Sequence, residues 1–418
     1  MDIFKLNKKF SNCSCKRKHV CDVKAIEIEK DALNKLPILC EDYKDILLVF
    51  DNNTYNICGK KVIDLFNDKK ISVKILQPQE KVVIPNEEKL EEINKEVSSS
   101  TDLIIGVGSG VINDLCKKVS FDNGLPYYIV ATAPSMDGYA SVGSALILKG
   151  MKVTLNARPP LAIIADTKIL KDAPLDMIKA GYGDIVGKFS CLNDWALSNF
   201  INGEYLCKNI YSLTYKCANK IKRLGCKIKN RDEKAIGELM DALVLVGVLM
   251  SFVGSSRPAS GSEHHLSHYF EITGILNDTD YFAHGIDVIY SATFLAKLRD
   301  KMINSHPKKR KFDKEEYEKE INRIYTKSAG EVIALQEKLG WYYKDNSQFI
   351  YKNWRKIKKI LKKVPTFEKF IKMLSAVGLD YKEFTTIYSK QKLDDAILYA
   401  KDLKDRYTFL WLYYDYFR

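Results

Sequence analysis

Histidines cluster in one short part of this chain. The sequence contains 6 His in 418 residues, and four of them follow one another closely: His264, His265, His268 and His284. His264 and His268 are four positions apart, so a helix would place both on one face. The small residues at 260–262 suit a helix start. This spacing favours a metal or substrate site at a helix N-terminus, and a helix with incidental histidines is the alternative.

Two carboxylates lie in segments whose composition suits a binding site. Asp137 follows a predicted strand and is surrounded by small and hydroxyl residues at 131–141. Ligands of open α/β sheets bind at the carboxyl ends of strands, although an ordinary polar turn has the same composition. Asp184 lies between glycines and precedes apolar residues, so it can project into a cleft. An exposed turn aspartate is the alternative.

A glycine-rich turn joins a strand to a helix between residues 102 and 119. The apolar residues 102–105 are followed by Gly106, Gly108 and Gly110, and then by a helical pattern. Glycines let the backbone approach a pyrophosphate, and the helix N-terminus offers unpaired N–H groups. The spacing is not G-x-G-x-x-G, so a tight turn without a ligand is the alternative. Asp51, at the end of an earlier strand, can accept from a ribose hydroxyl.

The pattern of elements predicts two domains. Short apolar runs alternate with helical segments up to about residue 168, which predicts an open parallel sheet. Helical periodicity then continues to the end of the chain. We therefore expect an α/β nucleotide-binding domain over 1–168 and a helical domain over 169–418. Finer predictions are a β-hairpin at 144–155 that turns at Lys149-Gly150, and one final helix over 393–416.

The bulk composition describes an ordinary globular protein, with 46% hydrophobic and 28% charged residues. Its net charge of +13 suits nucleic acid, anionic lipid or an anionic substrate. The basic runs at 308–311 and 352–363 are typical of solvated helical faces. Residues 1–9 lack the apolar core of a secretory signal, and the apolar run 242–253 is too short to span a bilayer. We expect a cytoplasmic protein that neither binds nucleic acid nor spans a membrane.

Ligands for a soft metal lie close together near the N-terminus. Cys13, Cys15, His19 and Cys21 are all residue types that bind zinc. Their C-x-C-x3-H-x-C spacing is not a standard zinc pattern, so the sequence assigns no role to this group.

Four motifs in this order resemble the sn-glycerol-1-phosphate dehydrogenases, and their bacterial branch in particular. They are Gly-Val-Gly-Ser-Gly at 106–110, Ala-Pro-Ser-Met-Asp-Gly-Tyr-Ala-Ser at 133–141, Gly-Tyr-Gly-Asp at 181–184 and Ser-Gly-Ser-Glu-His at 260–264. That family belongs to the iron-containing alcohol dehydrogenase and dehydroquinate synthase-like superfamily. The resemblance implies a dehydroquinate synthase-like fold with a Rossmann-like N-terminal domain and an all-α C-terminal domain.

The resemblance also implies site residues. It implies one divalent metal, Zn²⁺ or Ni²⁺, held by Asp184, His264 and His284. His268 is carried over as a catalytic and substrate-contacting residue, and Asp137 and Asp184 as substrate-binding carboxylates. The NAD(P) contacts that it implies are Asp51, Gly108, Ser109, Gly110, Val111, Ile112, Thr132, Ser135 and Ser141.

The activity implied is the NAD(P)-dependent interconversion of dihydroxyacetone phosphate and sn-glycerol 1-phosphate by a homo-oligomer. A glycerol dehydrogenase-like enzyme for another polyol is the alternative on the same fold. A basic nucleic-acid or membrane-surface binder is the alternative from a different class. The sequence leaves open the choice between NADH and NADPH. Arg257 is one candidate for the substrate phosphate. Asp287 stands where many superfamily members have Lys, which leaves the surroundings of His284 undetermined.

Overall fold

The structure is a computed structural model that describes residues 1–78, 82–148 and 151–418. The chain forms two compact units. The first comprises Met1–Ile185 and Cys226–Ser256, and the second comprises Val186–Gly225 and Arg257–Arg418. A domain boundary after residue 168 stays a prediction.

The strands all lie in the first unit. They are β1 (Ala25–Glu29), β2 (Asp45–Asp51), β3 (Lys70–Leu76), β4 (Leu103–Gly108), β5 (Tyr127–Ala131), β6 (Gly143–Leu148), β7 (Met151–Asn156) and β8 (Ala162–Asp166). Six of them form a parallel sheet in the order β1-β8-β5-β4-β2-β3. β6 and β7 pair antiparallel as the predicted hairpin, whose turn at Lys149-Gly150 lies outside the described residues.

The central strands are buried because both of their faces are apolar. Every residue of β4, β5 and β8 is buried, as a parallel sheet covered on both faces requires. These runs were recognisable in the sequence for that reason. β1 was missed because its Ala-Ile-Glu-Ile-Glu sequence alternates and lies at the edge of the sheet.

The helices are distributed along the whole chain. They are α1 (Ile3–Ser11), α2 (Leu36–Leu39), α3 (Asn52–Thr54), α4 (Lys60–Ile63), α5 (Glu87–Asn94), α6 (Gly110–Asp122), α7 (Thr167–Asp172), α8 (Leu175–Asn202), α9 (Lys208–Ile221), α10 (Gly225–Lys229), α11 (Glu233–Val253), α12 (Ser262–Asn277), α13 (His284–Ile303), α14 (Lys314–Tyr325), α15 (Ala329–Leu339), α16 (Ser347–Leu361), α17 (Phe367–Val377), α18 (Tyr381–Ile387), α19 (Lys390–Tyr399) and α20 (Phe409–Tyr416). In the described residues the second unit contains helices and no strand, which confirms the predicted fold class.

One helix of the described chain, α11, is long and apolar enough to cross a membrane. It has 21 residues and a mean hydropathy of 2.0, and 67% of its most apolar 18-residue segment is buried inside the protein. We interpret α11 as a core helix of the first unit, because burial against protein accounts for its apolar surface.

The single final helix expected over 393–416 is wrong. α19 ends at Tyr399, a short 3-10 turn follows, and α20 begins at Phe409. The break has a structural cause, because the backbone N–H of Phe409 donates to the buried Asp194 carboxylate at 2.9 Å. A carboxylate satisfies a helix-start N–H that would otherwise lack a partner.

Candidate active site and metal centre

The strand order places the expected nucleotide-binding turn at the carboxyl edge of the sheet. The chain runs from β2 outward to β3 and returns on the other side of β2 to form β4. Ligands of open α/β sheets bind at the point where the strand order reverses in this way. Asp51 ends β2 and Gly108 ends β4, so both lie beside that point.

The N-terminus of α6 is suited to an anion. Ser109 is its N-cap residue and makes no side-chain cap. The first-turn N–H groups of α6, which include those of Gly110, Val111 and Ile112, are therefore available to a phosphate. A Cβ on Gly108 would lie 2.6 Å from Cγ1 of Ile112, so this position needs glycine for close packing of strand and helix.

Neighbouring strand ends carry two further expected cofactor residues. Thr132 follows β5, and its N–H donates to the Gly108 carbonyl at 3.0 Å. Asp51 accepts from the Thr54 N–H at 2.8 Å and thereby caps α3. One oxygen of Asp51 is thus occupied by a structural bond, which weakens its assignment as a ribose ligand.

Hydrogen bonds hold the loop after β5 in one shape. The buried Lys117 ammonium donates to the Gly138 and Gly143 carbonyls at 2.9 and 3.0 Å. The Ser141 hydroxyl donates to the Gly138 carbonyl at 2.9 Å. Ser135 is half-buried on the same loop. These contacts give the hydroxyl-rich segment a defined conformation before any ligand binds.

Asp184 lies inside a helix, so the alternative of an exposed turn aspartate is wrong. α8 runs through this position and Asp184 is fully buried. Its Oδ2 accepts from the Asp137 N–H at 2.9 Å, which joins two of the expected substrate-binding carboxylates. One turn earlier, a Cβ on Gly181 would lie 1.8 Å from the Pro134 carbonyl oxygen. The missing side chain lets α8 approach the 133–141 loop.

Replacing Gly181 with alanine should destabilise the protein and impair the site. The added methyl group collides with the Pro134 backbone, and overpacking of this kind costs about 1–3 kcal/mol. We also expect kcat/KM to fall by about 100-fold, because a shift near 1 Å at a reacting centre has that effect. Denaturant unfolding and steady-state kinetics measure the two effects.

Gly330→Ala is the matched control for this substitution. Gly330 is also helical, and nothing lies within 4 Å of a Cβ built there. This change should stabilise the protein by about 0.5–1 kcal/mol because alanine is the better helix former. Equal effects at the two positions would show that the Pro134 contact is unimportant.

A buried ion pair supports the start of α12. The N–H of Ser262, the first residue of α12, donates to Asp194 Oδ2 at 2.6 Å. Arg299 of α13 lies 3.5 Å from the other Asp194 oxygen and donates to the hydroxyls of Ser190 and Ser262 at 2.9 and 3.1 Å. The Arg299 guanidinium also lies 4.5 Å from the Phe409 ring centroid. These contacts fix the turn that carries His264.

Glu263 orients the His264 ring. Its Oε1 lies 2.7 Å from His264 Nδ1 and accepts from the Gly261 N–H at 2.8 Å. A carboxylate on Nδ1 fixes the tautomer and leaves Nε2 as the coordinating atom. Burial acts to raise the pKa of Glu263, but the hydrogen bond and charge of His264 outweigh it and hold this pKa below its ordinary value. Glu263 is therefore an ionised partner that strengthens His264 as a ligand.

Ser267, rather than Asp287, contacts the His284 ring. His284 begins α13, and its Nδ1 lies 3.3 Å from the Ser267 hydroxyl. The Asp287 carboxylate instead accepts from the Tyr388 hydroxyl at 2.8 and 3.0 Å. Burial raises the pKa of Asp287 well above its ordinary value. The departure at Asp287 thus serves the packing of α13, while the Ser267 hydroxyl contacts the His284 ring.

The expected metal ligands are distributed over both units. His264 and His284 belong to the second unit, where their ring centroids lie 5.1 Å apart, and Asp184 is buried near the end of the first segment of the first unit. One carboxylate and two imidazoles are a donor set for zinc and similar divalent ions, and three protein ligands leave a coordination position open. The residues present therefore fit a catalytic divalent cation.

A second arrangement shares His284. His268, Glu271 and His284 also offer ligand atoms within 4.8 Å of one another. All three are only half-buried, whereas Asp184 and His264 are buried. The His268 ring centroid lies 5.3 Å from that of His284 and 6.3 Å from that of His264. Burial and the Glu263 contact make His264 a better-oriented ligand than His268.

Two residues suggested by the sequence fall outside this cluster. His265 is fully buried, and burial lowers its pKa well below the ordinary value, which describes a neutral core histidine. Arg257 pairs with Glu204 at 2.5 Å and donates to the Tyr407 carbonyl at 2.8 Å. Its charge is already balanced, so the structure does not favour Arg257 as the phosphate ligand.

Sequence reasoning missed Glu263, Ser267 and the Asp194–Arg299 pair. Glu263 lies directly before a predicted ligand, so an acidic neighbour of a histidine was an available signal. Asp194 and Arg299 are 105 positions apart, and no local pattern connects them.

Known proteins are similar to this chain in sequence and in fold. The family of iron-containing alcohol dehydrogenases matches residues 27–174. A glycerol-1-phosphate dehydrogenase (NAD(P)+) of Geobacillus thermodenitrificans is 33% identical over 346 residues, which cover 78% of this chain and 86% of that protein. The chain belongs to the glycerol-1-phosphate dehydrogenase family. A member from Halalkalibacterium halodurans is 28% identical over 407 residues, covering 96% of this chain and 95% of that protein. The predicted family is confirmed.

Solved structures confirm the fold for this glycerol-1-phosphate dehydrogenase family member. A probable glycerol dehydrogenase from Sinorhizobium meliloti matches with a TM-score of 0.59 and 16% identity, covering 90% of this chain and 89% of that chain. Maleylacetate reductase from Agrobacterium tumefaciens matches with a TM-score of 0.62 and 10% identity, covering 92% and 91%. At such identities the similarity shows the fold alone.

Proposed function

We propose that this protein is an NAD(P)-dependent, metal-dependent sn-glycerol-1-phosphate dehydrogenase. The observation that carries the proposal is the pair of neighbouring imidazoles of His264 and His284, with ring centroids 5.1 Å apart, in a chain of this family. We expect the Asp184 carboxylate to complete this ligand set. The reaction is reversible transfer of a hydride between the nicotinamide and C2 of dihydroxyacetone phosphate, with a proton added to or removed from the C2 oxygen. The net charge of +13 favours approach of an anionic substrate.

In this proposal the carboxyl edge of the parallel sheet holds the dinucleotide. The α6 N-terminus, with Gly108 before it, binds the pyrophosphate through backbone N–H groups. Thr132, Ser135 and Ser141 supply hydroxyls to the rest of the cofactor. Support for these roles comes from their position after β4 and β5.

Asp184, His264 and His284 would hold the divalent cation. A cation held there supplies Lewis acidity, which polarises the ketone oxygen and offsets the negative charge that develops on it. The Asp137 carboxylate would accept hydrogen bonds from the substrate hydroxyl, and the backbone N–H of Asp137 donates to Asp184 Oδ2 at 2.9 Å. Asp184 would thereby connect the substrate-binding loop to the cation.

His268 would move the proton. It lies one turn after His264 on α12, and its Nδ1 is 3.9 Å from Glu271 Oε2. The His268 side chain keeps 16% of its surface exposed, so it can exchange protons with solvent. A histidine in this position can donate to the C2 oxygen in reduction and accept from it in oxidation.

A substrate and chelation assay tests the proposal. The enzyme should oxidise sn-glycerol 1-phosphate at least about 100-fold faster, in kcat/KM, than glycerol or sn-glycerol 3-phosphate, because a site built for polar groups discriminates strongly against analogues that lack or misplace them. Removing the metal should abolish turnover, and Zn²⁺ or Ni²⁺ should restore it. Full activity after complete metal removal contradicts the mechanism. Preference for glycerol would instead identify a polyol dehydrogenase.

We also propose that the protein acts in the cytoplasm on a small phosphorylated substrate and assembles into a homo-oligomer. The family of metabolic dehydrogenases to which it belongs supports the first part. Size-exclusion chromatography with light scattering measures the assembly, and a monomeric active enzyme would contradict it.

A further inference from the structure

Tyr388 contacts the chain on both sides of His284. Its hydroxyl accepts from the Phe282 N–H at 3.3 Å, and Phe282 lies two residues before His284. The same hydroxyl donates to the Asp287 carboxylate, whose two oxygens are 2.8 and 3.0 Å away. His284 is the first residue of α13, and Asp287 lies in the first turn of that helix. One hydroxyl therefore holds both the approach to α13 and its first turn.

The Tyr388 ring connects this helix start to α12. It stacks on Phe270 of α12, with ring centroids 3.9 Å apart and ring planes inclined by 9°. The Phe282 ring packs edge-on against Tyr388 at a centroid distance of 5.8 Å. All of these residues belong to the second unit. Tyr388 thus contacts both helices that carry the neighbouring imidazoles of His264 and His284, whose ring centroids are 5.1 Å apart.

Tyr388 is itself held firmly in place. It is buried, and as the C-cap residue of α18 it donates its backbone N–H to the Phe384 carbonyl at 3.1 Å. The next residue, Ser389, is the N-cap of α19. The Phe384 ring meets the Tyr388 ring nearly at right angles, with centroids 5.2 Å apart. A side chain that is locked by its own packing can hold a functional residue in a defined geometry.

Packing alone does not account for the Tyr388 hydroxyl. A phenylalanine would give the same ring contacts with Phe270 and Phe384 without a polar atom to bury. A buried hydroxyl needs a hydrogen-bond partner, but one partner would satisfy it. This hydroxyl instead uses its donor and its acceptor capacity on opposite sides of His284 in the chain. Such an arrangement restrains the backbone that carries His284.

We propose that Tyr388 is a positioning residue, which sets the place of His284 relative to His264 and thereby the affinity of the site for its cation. Ser267 contacts the His284 ring, whereas Tyr388 acts on the backbone of α13. Without the hydroxyl, the buried Asp287 carboxylate loses this donor, which favours a shift of the first turn towards another partner. The inference rests on the proposed function, because it takes His264 and His284 as cation ligands.

The test compares zinc dissociation constants in the absence of substrate. Tyr388→Phe keeps the ring and removes the hydroxyl. It should weaken Zn²⁺ binding at least about tenfold, because groups that orient metal ligands typically contribute about 10–100-fold in affinity. Competition with a chromophoric chelator measures this change. A variant that is merely less stable, but correctly folded, would keep the native affinity.

Tyr325→Phe is the matched control. Tyr325 is fully buried in the same unit, donates to the Tyr399 carbonyl at 3.0 Å and contacts Tyr269 of α12. This variant also loses a buried hydrogen bond, so its melting temperature should fall, but its zinc dissociation constant should stay within about twofold of the native value. Native affinity in Tyr388→Phe, or an equal loss in Tyr325→Phe, would overturn the proposal.

Two substitutions at Asp287 cover the case in which Tyr388→Phe does not fold. Asp287→Asn keeps an oxygen that accepts from the Tyr388 hydroxyl, whereas Asp287→Leu has a similar size and no acceptor. The leucine variant should bind Zn²⁺ at least about tenfold more weakly than the asparagine variant. Equal dissociation constants for these two variants would count decisively against a positioning role.

The same measurement distinguishes failure of this inference from failure of the proposed function. Zinc that His264→Ala protein still binds is subtracted as binding at other sites. A native chain that binds no Zn²⁺ beyond this amount contradicts the proposed function, and the role of Tyr388 with it. If the native chain binds the ion and Tyr388→Phe binds it equally tightly, only the role of Tyr388 is wrong.

Discussion

Replacing His264 with alanine should lower kcat by at least about 1000-fold, because Lewis-acid stabilisation of the transition state is worth several kcal/mol and each 1.4 kcal/mol is a factor of ten. His264 is buried and is oriented by Glu263 at 2.7 Å. The substitution leaves Asp184 and His284 as the only remaining members of the set. We therefore expect loss of the bound cation together with loss of turnover.

His268→Ala separates metal binding from proton transfer. It lies on the same helix as His264 and next to His284, with ring centroids 5.3 Å apart. This variant should keep the cation and lose about 100-fold in kcat, the scale of a general acid–base contribution. Metal analysis and kinetics on both variants measure the difference. If His268→Ala loses the cation and His264→Ala keeps it, the ligand set is His268, Glu271 and His284 instead.

Removing Asp194 should destabilise the protein by about 3–5 kcal/mol, the cost of leaving a buried charge without its partner. Asp194→Ala deprives Arg299 of its counter-ion and the Ser262 and Phe409 N–H groups of their acceptor. Burial raises the pKa of Asp194 although the Arg299 charge acts against this, and burial lowers the pKa of Arg299 although Asp194 acts against it. The pairing therefore offsets part of the cost of burying both charges. Denaturant unfolding measures the loss.

Two controls show whether the Asp194 effect comes from an unpaired buried charge. The double variant Asp194→Ala/Arg299→Met should be less destabilised than Asp194→Ala alone, because it removes the isolated cation. Lys390→Ala breaks an ion pair in which the side chains are 90% and 48% exposed, and it should cause no measurable loss. A double variant no more stable than Asp194→Ala would contradict this account.

Local sequence patterns predicted those strands and helices whose formation depends on residues close together in the sequence. The apolar runs that form β2, β4, β5 and β8 could be recognised in the sequence because strands buried on both faces are continuously apolar. The start of α6 could be recognised because the glycine-rich turn at 106–110 follows an apolar run and precedes a helical pattern. The edge strand β1 could not be recognised in the sequence, because its alternating residues do not indicate that it pairs with a parallel sheet.

Contacts between residues that are far apart in the sequence could not be predicted from local patterns. Local evidence left Asp184 undecided between a cleft and an exposed turn, because its burial depends on the fit of Gly181 against Pro134. The resemblance supplied the ligand set, but not the roles of Glu263 and Ser267 beside it.

Anomalous diffraction from a metal-loaded crystal tests the central claim most directly. Data collected on both sides of the metal absorption edge locate the ion independently of any assumption about its ligands. The account predicts a peak at about 2.0–2.2 Å from a carboxylate oxygen of Asp184, from Nε2 of His264 and from a ring nitrogen of His284. A peak bound by His268, Glu271 and His284 with Asp184 outside coordination distance, or no peak near these histidines, would contradict it.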